Sequence, residues 1–128
     1  MKVLLDTHAL LWWLDGDHRL PLRMQTLIGD EATEVLVSAA SAWEIATKAR
    51  LGKLPKALAI ARKLDMVLAE QGFAELPITF EDGQRAGWLA GDHRDPFDRM
   101  LAAQALARDL PVMTRDAALK ALGVRVVW

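Results

Sequence analysis

Cysteine is absent from the 128 residues of the chain. This absence excludes disulfides, a thiolate nucleophile, zinc fingers and iron–sulfur clusters, and it fits a reducing compartment. A strong charge of one sign is absent as well, because 16 basic residues stand against 17 acidic ones. The formal net charge of -1 excludes a strongly basic coat protein for nucleic acid.

Long apolar runs are also missing. The longest stretch of apolar residues without a charge covers residues 9–14, against roughly 20 for a membrane span. Only a few apolar residues separate Lys2 from Asp6, which is not the pattern of a signal peptide. We therefore expect a cytoplasmic protein that does not cross a membrane.

The composition is that of an ordinary globular domain, with 52% hydrophobic and 26% charged residues. No repeat or linker-like stretch divides the chain, so we expect one domain over residues 1–128. Basic residues are concentrated in residues 48–63, where no acid occurs. This stretch is either a solvated helix face or a phosphate-binding patch.

Short apolar runs alternate with longer segments of helical spacing. The runs predict buried strands at residues 3–5, 35–37, 74–76, 112–113 and 124–127. The spacing predicts helices near residues 10–14, 21–28, 43–49, 58–68, 81–89, 95–107 and 117–122. This alternation is typical of an α/β fold with a mainly parallel sheet and helices on both faces.

Four acidic residues from distant segments are predicted to meet at one edge of this sheet. Asp6 follows the first strand, and Glu44 lies early in the helix after the second. Asp98 opens the sixth helix, and Asp116 follows the fourth strand. Ligands in open α/β sheets gather beyond the carboxyl ends of the strands, so we interpret these acids as one candidate site.

Structural explanations compete for three of the four acids. Glu44 fits a capping box with Ser41, Asp98 favours the positive end of its helix dipole, and Asp116 could cap the last helix. Asp6 has no evident capping partner in the sequence. Its position at the tip of an apolar strand therefore favours a functional role.

Clustered carboxylates imply a cation. Two carboxylates within about 6 Å repel each other by roughly 1–3 kcal/mol, so such a group must be protonated or hold a metal ion. Hard oxygen ligands favour Mg²⁺ or Mn²⁺ over zinc. An acidic, hydrated site of this kind suits hydrolysis of a phosphodiester.

Five segments together resemble PIN domains, and more narrowly the VapC-type toxins of bacterial type II toxin–antitoxin systems. They read LLDTH followed by LWWL, SAASAWEIA, LGKL, HRDPFDRMLAAQA and VMTRD, in this order and at this spacing. Each segment is weak alone, whereas the ordered set covers the chain from end to end. The resemblance implies a three-layer α/β/α fold with a strand order near 3-2-1-4-5.

The resemblance also implies an activity and its residues. It implies an endoribonuclease that depends on one or two Mg²⁺ or Mn²⁺ ions per site and hydrolyses RNA with a metal-activated water. The acidic set of the family maps onto Asp6, Glu44, Asp98 and Asp116, and Thr114 matches a hydroxyl that supports the site. The implied partners are a VapB-type antitoxin on another chain and a second copy of the toxin in a homodimer.

Residues next to these motifs have further interpretations. Asp95 is predicted to cap the sixth helix, although it could contribute to the site. His8 and His93 are interpreted as polar or packing residues. Arginine side chains flank the acids and could hold RNA phosphates, namely Arg94, Arg99 and Arg115.

The tryptophans are expected mostly to pack. One of the neighbours Trp12 and Trp13 should face inward while the other lies nearer the surface. Trp43, Trp88 and Trp128 are expected in the core or at its edge, with stacking on single-stranded RNA as the alternative.

Other functions remain as alternatives. A PIN-like module could bind RNA or protein without cutting, but such a domain should have lost an acid, and none is missing. A haloacid dehalogenase-like phosphatase also begins with a strand ending in Asp, yet it needs a second acid where His8 stands. A phosphoacceptor receiver domain needs an acidic pair after the first strand, and Asp6 stands alone.

Overall fold

Five short strands form one parallel sheet at the centre of the computed structural model, which describes residues 1–128. The strand order is β3-β2-β1-β4-β5, as predicted. Leu4 of the central strand pairs with Leu36 on one side and with Val112 on the other. The strands are β1 (Lys2–Leu5), β2 (Glu34–Ser38), β3 (Ala74–Leu76), β4 (Val112–Met113) and β5 (Val126–Val127).

Helices connect the strands and cover both faces of the sheet. A single 3₁₀ turn over Pro55–Ala57 precedes the fourth helix. The helices are α1 (Thr7–Asp15), α2 (Leu22–Gly29), α3 (Ala39–Arg50), α4 (Leu58–Arg62), α5 (Leu64–Gln71), α6 (Phe80–Trp88), α7 (Pro96–Arg108) and α8 (Ala117–Ala121).

The two cores follow from the alternation of side chains along the strands. Val3 and Leu5 of β1 pack on one face, against α1, α2 and α5. Leu4 and Leu36 pack on the other face, against α7 and α8. The predicted three-layer α/β/α architecture is therefore confirmed.

Two predicted element boundaries were wrong. The helix expected over residues 58–68 is two helices, because Lys63 leaves the helical conformation at φ -126° and ψ 25°. The last strand begins at Val126 rather than at residue 124, after Gly123 turns the chain with a φ of 97°. Gly72 ends α5 in the left-handed conformation, as its position predicted.

The tryptophans divide into buried and exposed groups. Trp12 is buried, and Trp13 is half-buried and donates its indole N–H to Gln71, so the expectation for this pair is confirmed. The prediction that Trp43 and Trp88 pack in the core was wrong, since they are 61% and 89% exposed. Trp43 lies on the side of α3 away from the buried positions, and Trp88 is the last residue of α6.

None of the helices combines the length and the apolar character that crossing a bilayer requires.

Candidate active site

Asp6 lies where β1 passes into α1, at the carboxyl edge of the sheet. Its carboxylate accepts a hydrogen bond from the backbone N–H of Ala9, at 2.7 Å, and so caps α1. The cap was not expected, because the apolar spacing predicts a helix start near residue 10, whereas α1 begins at Thr7. Burial raises the pKa of Asp6, hydrogen bonds from Thr114 and Ala9 oppose that rise, and the charge of Asp116 adds to it.

Thr114 and Asp116 follow β4, which is hydrogen-bonded to β1. The backbone N–H of Asp6 donates to the carbonyl of Met113, which fixes the two segments side by side. The buried hydroxyl of Thr114 accepts the backbone N–H of Asp116, at 3.0 Å, and lies close enough to the Asp6 carboxylate to lower its pKa. Thr114 thus lies between the acid after β1 and the acid after β4. Asp116 itself is exposed and caps α8.

Asp98 lies in the first turn of α7 and is partly buried. Asp95 caps this helix, accepting the backbone N–H groups of Phe97 and Asp98, and Pro96 is the first helical residue, as the sequence predicted. Nε2 of His93 lies 2.8 Å from the Asp98 carboxylate. Burial raises the pKa of Asp98, the His93 hydrogen bond opposes that rise, and the charges of Asp95 and Asp116 add to it.

Glu44 is buried in the middle of α3, so the predicted capping box was wrong. Ser38, not Ser41, caps α3, because the helix begins two residues before Ser41. The hydroxyl of Thr7 donates to one Glu44 oxygen at 2.6 Å, and Nζ of Lys48 lies 2.6 Å from the other. Both oxygens of this carboxylate are therefore engaged by side chains of the chain itself.

The structure brings the predicted acids together to different degrees. Asp6 and Asp116 line one open groove of about 390 Å³. Asp98 is close enough to Asp116 for the charges to interact, whereas Glu44 connects to this edge through Thr7, the residue after Asp6. No three of the four acids place ligand atoms within 4.8 Å of one another; His93, Asp95 and Asp98 do.

The carboxylates that gather at this edge, with Asp6 and Asp116 in one groove, fit a divalent cation. Burial raises the pKa values of Asp6 and Asp98, and the charge of Asp116 raises both further. Each ionised carboxylate is therefore unfavourable at this edge without a positive charge beside it. Carboxylate oxygens spread around a hydrated groove suit an ion that keeps several of its waters.

The three flanking arginines have different environments. Arg99 donates to backbone carbonyls in the last turns of α6 and in the loop before α7, including those of Ala86 at 2.9 Å and His93 at 3.0 Å. This role as a loop anchor differs from the phosphate contact suggested by the sequence. Arg115 is exposed, and its guanidinium lies 4.6 Å from the centroid of the Trp12 ring. Arg94 is exposed too.

Four residues at the site were missed as participants. His93 contacts Asp98 from five positions earlier, across a helix start where helical spacing gives no signal. Lys48 pairs with Glu44 at the i, i+4 spacing, which was visible in the sequence. Thr7 reaches Glu44 and Arg19 lines the groove with Asp6 and Asp116, contacts that join distant segments and give no local pattern in the sequence.

The chain belongs to the PIN domain family, whose profile matches residues 3–124. PIN domains are generally nucleases, so the match supports a nuclease in general terms. It also sets aside the phosphatase and receiver alternatives. No protein of curated function matches the sequence significantly.

Several solved structures with the same fold are VapBC or FitAB complexes. VapBC2 from Rickettsia felis, bound to a DNA fragment from its promoter, has a TM-score of 0.74 at 16% identity, covering 99% of this chain and 98% of that one. VapBC-1 from nontypeable Haemophilus influenzae has a TM-score of 0.69 at 14% identity, covering 99% and 97%. FitAcB from Neisseria gonorrhoeae has a TM-score of 0.62 at 23% identity, covering 98% and 96%. At these identities the similarity shows the fold.

Proposed function

We propose that this protein is a divalent-metal-dependent endoribonuclease that acts as the toxin of a toxin–antitoxin pair. The observation that carries the proposal is the pairing of buried Asp6 with Asp116 in one groove at the carboxyl ends of β1 and β4. The match to the PIN domain family and the presence of all four acids of the resembled pattern support this proposal.

The residues that would hold the ions are Asp6, Asp98 and Asp116. Glu44 would stabilise the surrounding structure through its contacts with Thr7 and Lys48. Alternatively, its side chain would turn towards an ion after its ion pair with Lys48 breaks. Mg²⁺ or Mn²⁺ in this position, one or two per site, supplies positive charge for the phosphate and lowers the pKa of a coordinated water. Thr114 would support the site from between Asp6 and Asp116, where its hydroxyl accepts the backbone N–H of Asp116.

The side chains of the site would also take up the proton that the attacking water loses. A carboxylate at this edge that lies within reach of the attacking water would accept its proton as a general base. His93 holds the Asp98 carboxylate in place through its Nε2. No covalent intermediate is proposed, because the chain offers no paired nucleophile and base at this edge.

We also propose a VapB-type antitoxin and a second copy of the chain as partners. The fold neighbours are VapBC and FitAB complexes. On this chain, the rings of Trp43 and Phe97 lie 4.8 Å apart beside an apolar recess of about 200 Å³. Trp43 is exposed and Phe97 is half-buried, and an exposed aromatic side chain beside an apolar recess is typical of partner surfaces.

Cleavage of total cellular RNA by antitoxin-free protein tests the proposed activity. We expect discrete fragments with Mg²⁺ or Mn²⁺ that disappear with a chelator and with Asp6→Asn. Asp30→Asn, a capping-type change in an exposed turn, is the matched control and should cut like the wild type. Folded, metal-supplied protein that cuts no RNA would instead favour the non-catalytic binding module.

A further inference from the structure

Two arginines stand in the same groove as the acids. Besides Asp6 and Asp116, the groove of about 390 Å³ is lined by Arg19, Arg115 and Trp12. The guanidinium carbons of Arg19 and Arg115 lie 5.0 and 4.6 Å from the centroid of the Trp12 ring. One nearly buried indole therefore holds two positive charges at the mouth of an acidic site.

Stacking on an indole leaves the edges of a guanidinium open for hydrogen bonding. A cation–π contact uses the face of the planar group, while its N–H donors point outward in the plane. Nε and Nη2 of Arg19 donate hydrogen bonds to the carboxylate of Asp17. No carboxylate lies within salt-bridge distance of Arg115. Arg115 is thus the charge with the most free donors in the groove.

The groove continues beyond Trp12 into a second recess of about 420 Å³. His8, Trp12 and Arg19 line both spaces. Lys53 and Lys56 line the far part, together with apolar side chains from the 3₁₀ turn and α4. These lysines belong to the acid-free stretch over residues 48–63. Asp15 and Asp17 also line this recess, and Asp17 is neutralised by Arg19.

We propose that Arg19 and Arg115, fixed by Trp12, form a phosphate clamp for single-stranded RNA. It would hold the phosphate next to the one at the acids, and the strand would continue towards Lys53 and Lys56. The proposal rests on the ribonuclease function proposed above and deepens it by assigning a path to the substrate.

The chemistry favours a phosphate over a base or an acidic peptide. Trp12 is only 7% exposed, so its ring supports the arginines and offers no free face on which a base could stack. The planar fork of arginine matches the oxygens of a phosphate. The groove has acids at one end and arginines beside them. This arrangement suits RNA, because one phosphate would be met by a cation on the acids and the next by the arginines directly.

Binding of a 5′-fluorescein-labelled 12-nucleotide oligouridylate, followed by fluorescence anisotropy in chelator, tests the clamp without cleavage. We expect Kd to rise about 10-fold for Arg115→Gln and further for the Arg19→Gln/Arg115→Gln double variant, the scale expected when a charge-assisted hydrogen bond is removed. The slope of log K against log salt should fall by about 0.7 for each phosphate that a variant no longer neutralises. Arg85→Gln, an exposed arginine on α6, is the matched control.

The outcomes separate the clamp from the function on which it rests. Equal binding by the wild type and the double variant, with unchanged circular dichroism melts, overturns the clamp and leaves the ribonuclease proposal standing. No binding by the wild type, together with no RNA cleavage, overturns both. A double variant that binds oligouridylate normally but no longer binds a 20-residue polyglutamate peptide overturns the clamp in favour of an acidic protein partner.

Discussion

Single carboxylates at this site serve the fold and the proposed chemistry together. Asp6 and Asp116 each cap a helix with an oxygen of the same side chain that lines the groove. Replacement by alanine would therefore remove a cap worth about 1 kcal/mol as well as a ligand. Asparagine caps a helix as well as aspartate does, so Asp→Asn isolates the charge.

The same logic separates Asp95 from Asp98 within one helix turn. We expect Asp98→Asn to reduce RNA cleavage about 100-fold or more, because it removes a partly buried charge from the proposed site. Asp95→Asn should retain most of the activity, since asparagine still accepts the N–H groups of Phe97 and Asp98. Initial cleavage rates of the two folded variants decide this. Loss of activity in Asp95→Asn alone would transfer the assignment to Asp95.

Among elements, the loop between α6 and α7 depends on one side chain. Arg99 donates to carbonyls of Ala86, Gly87, Leu89 and His93. We expect Arg99→Lys to speed hydrogen exchange in residues 89–95 and to reduce cleavage about 10-fold, because a lysine cannot reach four carbonyls and His93 would no longer be held on Asp98.

Exchange of the remaining helices should stay slow in the Arg99 variant. Arg94→Lys, on the same loop but exposed, is its control. An Arg99→Lys protein with wild-type exchange in the loop would show that other contacts hold it.

A buried ion pair joins α6 to α7. Arg108 contacts both oxygens of Asp82 at 2.9 Å and lowers the pKa of this acid to about 2. Because the pKa of Asp82 is lowered on folding, this carboxylate stabilises the protein at pH values above its ordinary pKa near 3.8. The stabilisation is lost as the pH falls towards 2. We expect Asp82→Asn to cost about 2 kcal/mol at pH 7, and the difference from wild type to shrink between pH 4 and pH 2.

Urea unfolding at several pH values measures this difference. Asp109→Asn is the matched control, because Asp109 also pairs with an arginine but is exposed, and exposed pairs contribute little. Its left-handed φ of 51° is also one that asparagine tolerates. Equal losses for the two variants would argue against the buried pair.

The sequence predicted elements better than contacts. Apolar runs and helical spacing were sufficient for the strands, because buried strands leave a strong local pattern. The strand order, in contrast, was expected only from the resemblance to PIN domains. The break at Lys63 left no such pattern, since no proline or glycine marks it. The contacts of Glu44 with Thr7 and Lys48 depend on where α3 begins. The expected capping box with Ser41 predicted this start wrongly, because Ser38 is the residue that caps α3.

At the scale of the whole molecule, near-neutral charge hides a local excess of negative charge. The net charge is -1, but Asp6, Asp98 and Asp116 gather at one sheet edge where two of them have raised pKa values. A carboxyl group whose pKa is raised on folding lowers the free energy of unfolding at pH values above its ordinary pKa. This loss of stability is recovered as the pH falls through the raised pKa. The metal-free protein should therefore lose stability as the pH rises above the ordinary carboxyl pKa of 3.8 towards the raised pKa values of Asp6 and Asp98.

A cation bound to the folded state should reverse this cost. At 100 times Kd, a ligand adds about 2.7 kcal/mol, so we expect Mn²⁺ or Mg²⁺ to raise Tm at pH 7 by about 5 °C or more. The rise should shrink at pH 4, where protons compete for the carboxylates, and should largely vanish in Asp6→Asn. Asp109→Asn should retain it, because that exposed acid lies outside the groove. An equal rise in Tm for Asp6→Asn would show that the cation binds elsewhere. Loss of the rise in that variant alone would show that the stability of the whole domain depends on the charge at its proposed site.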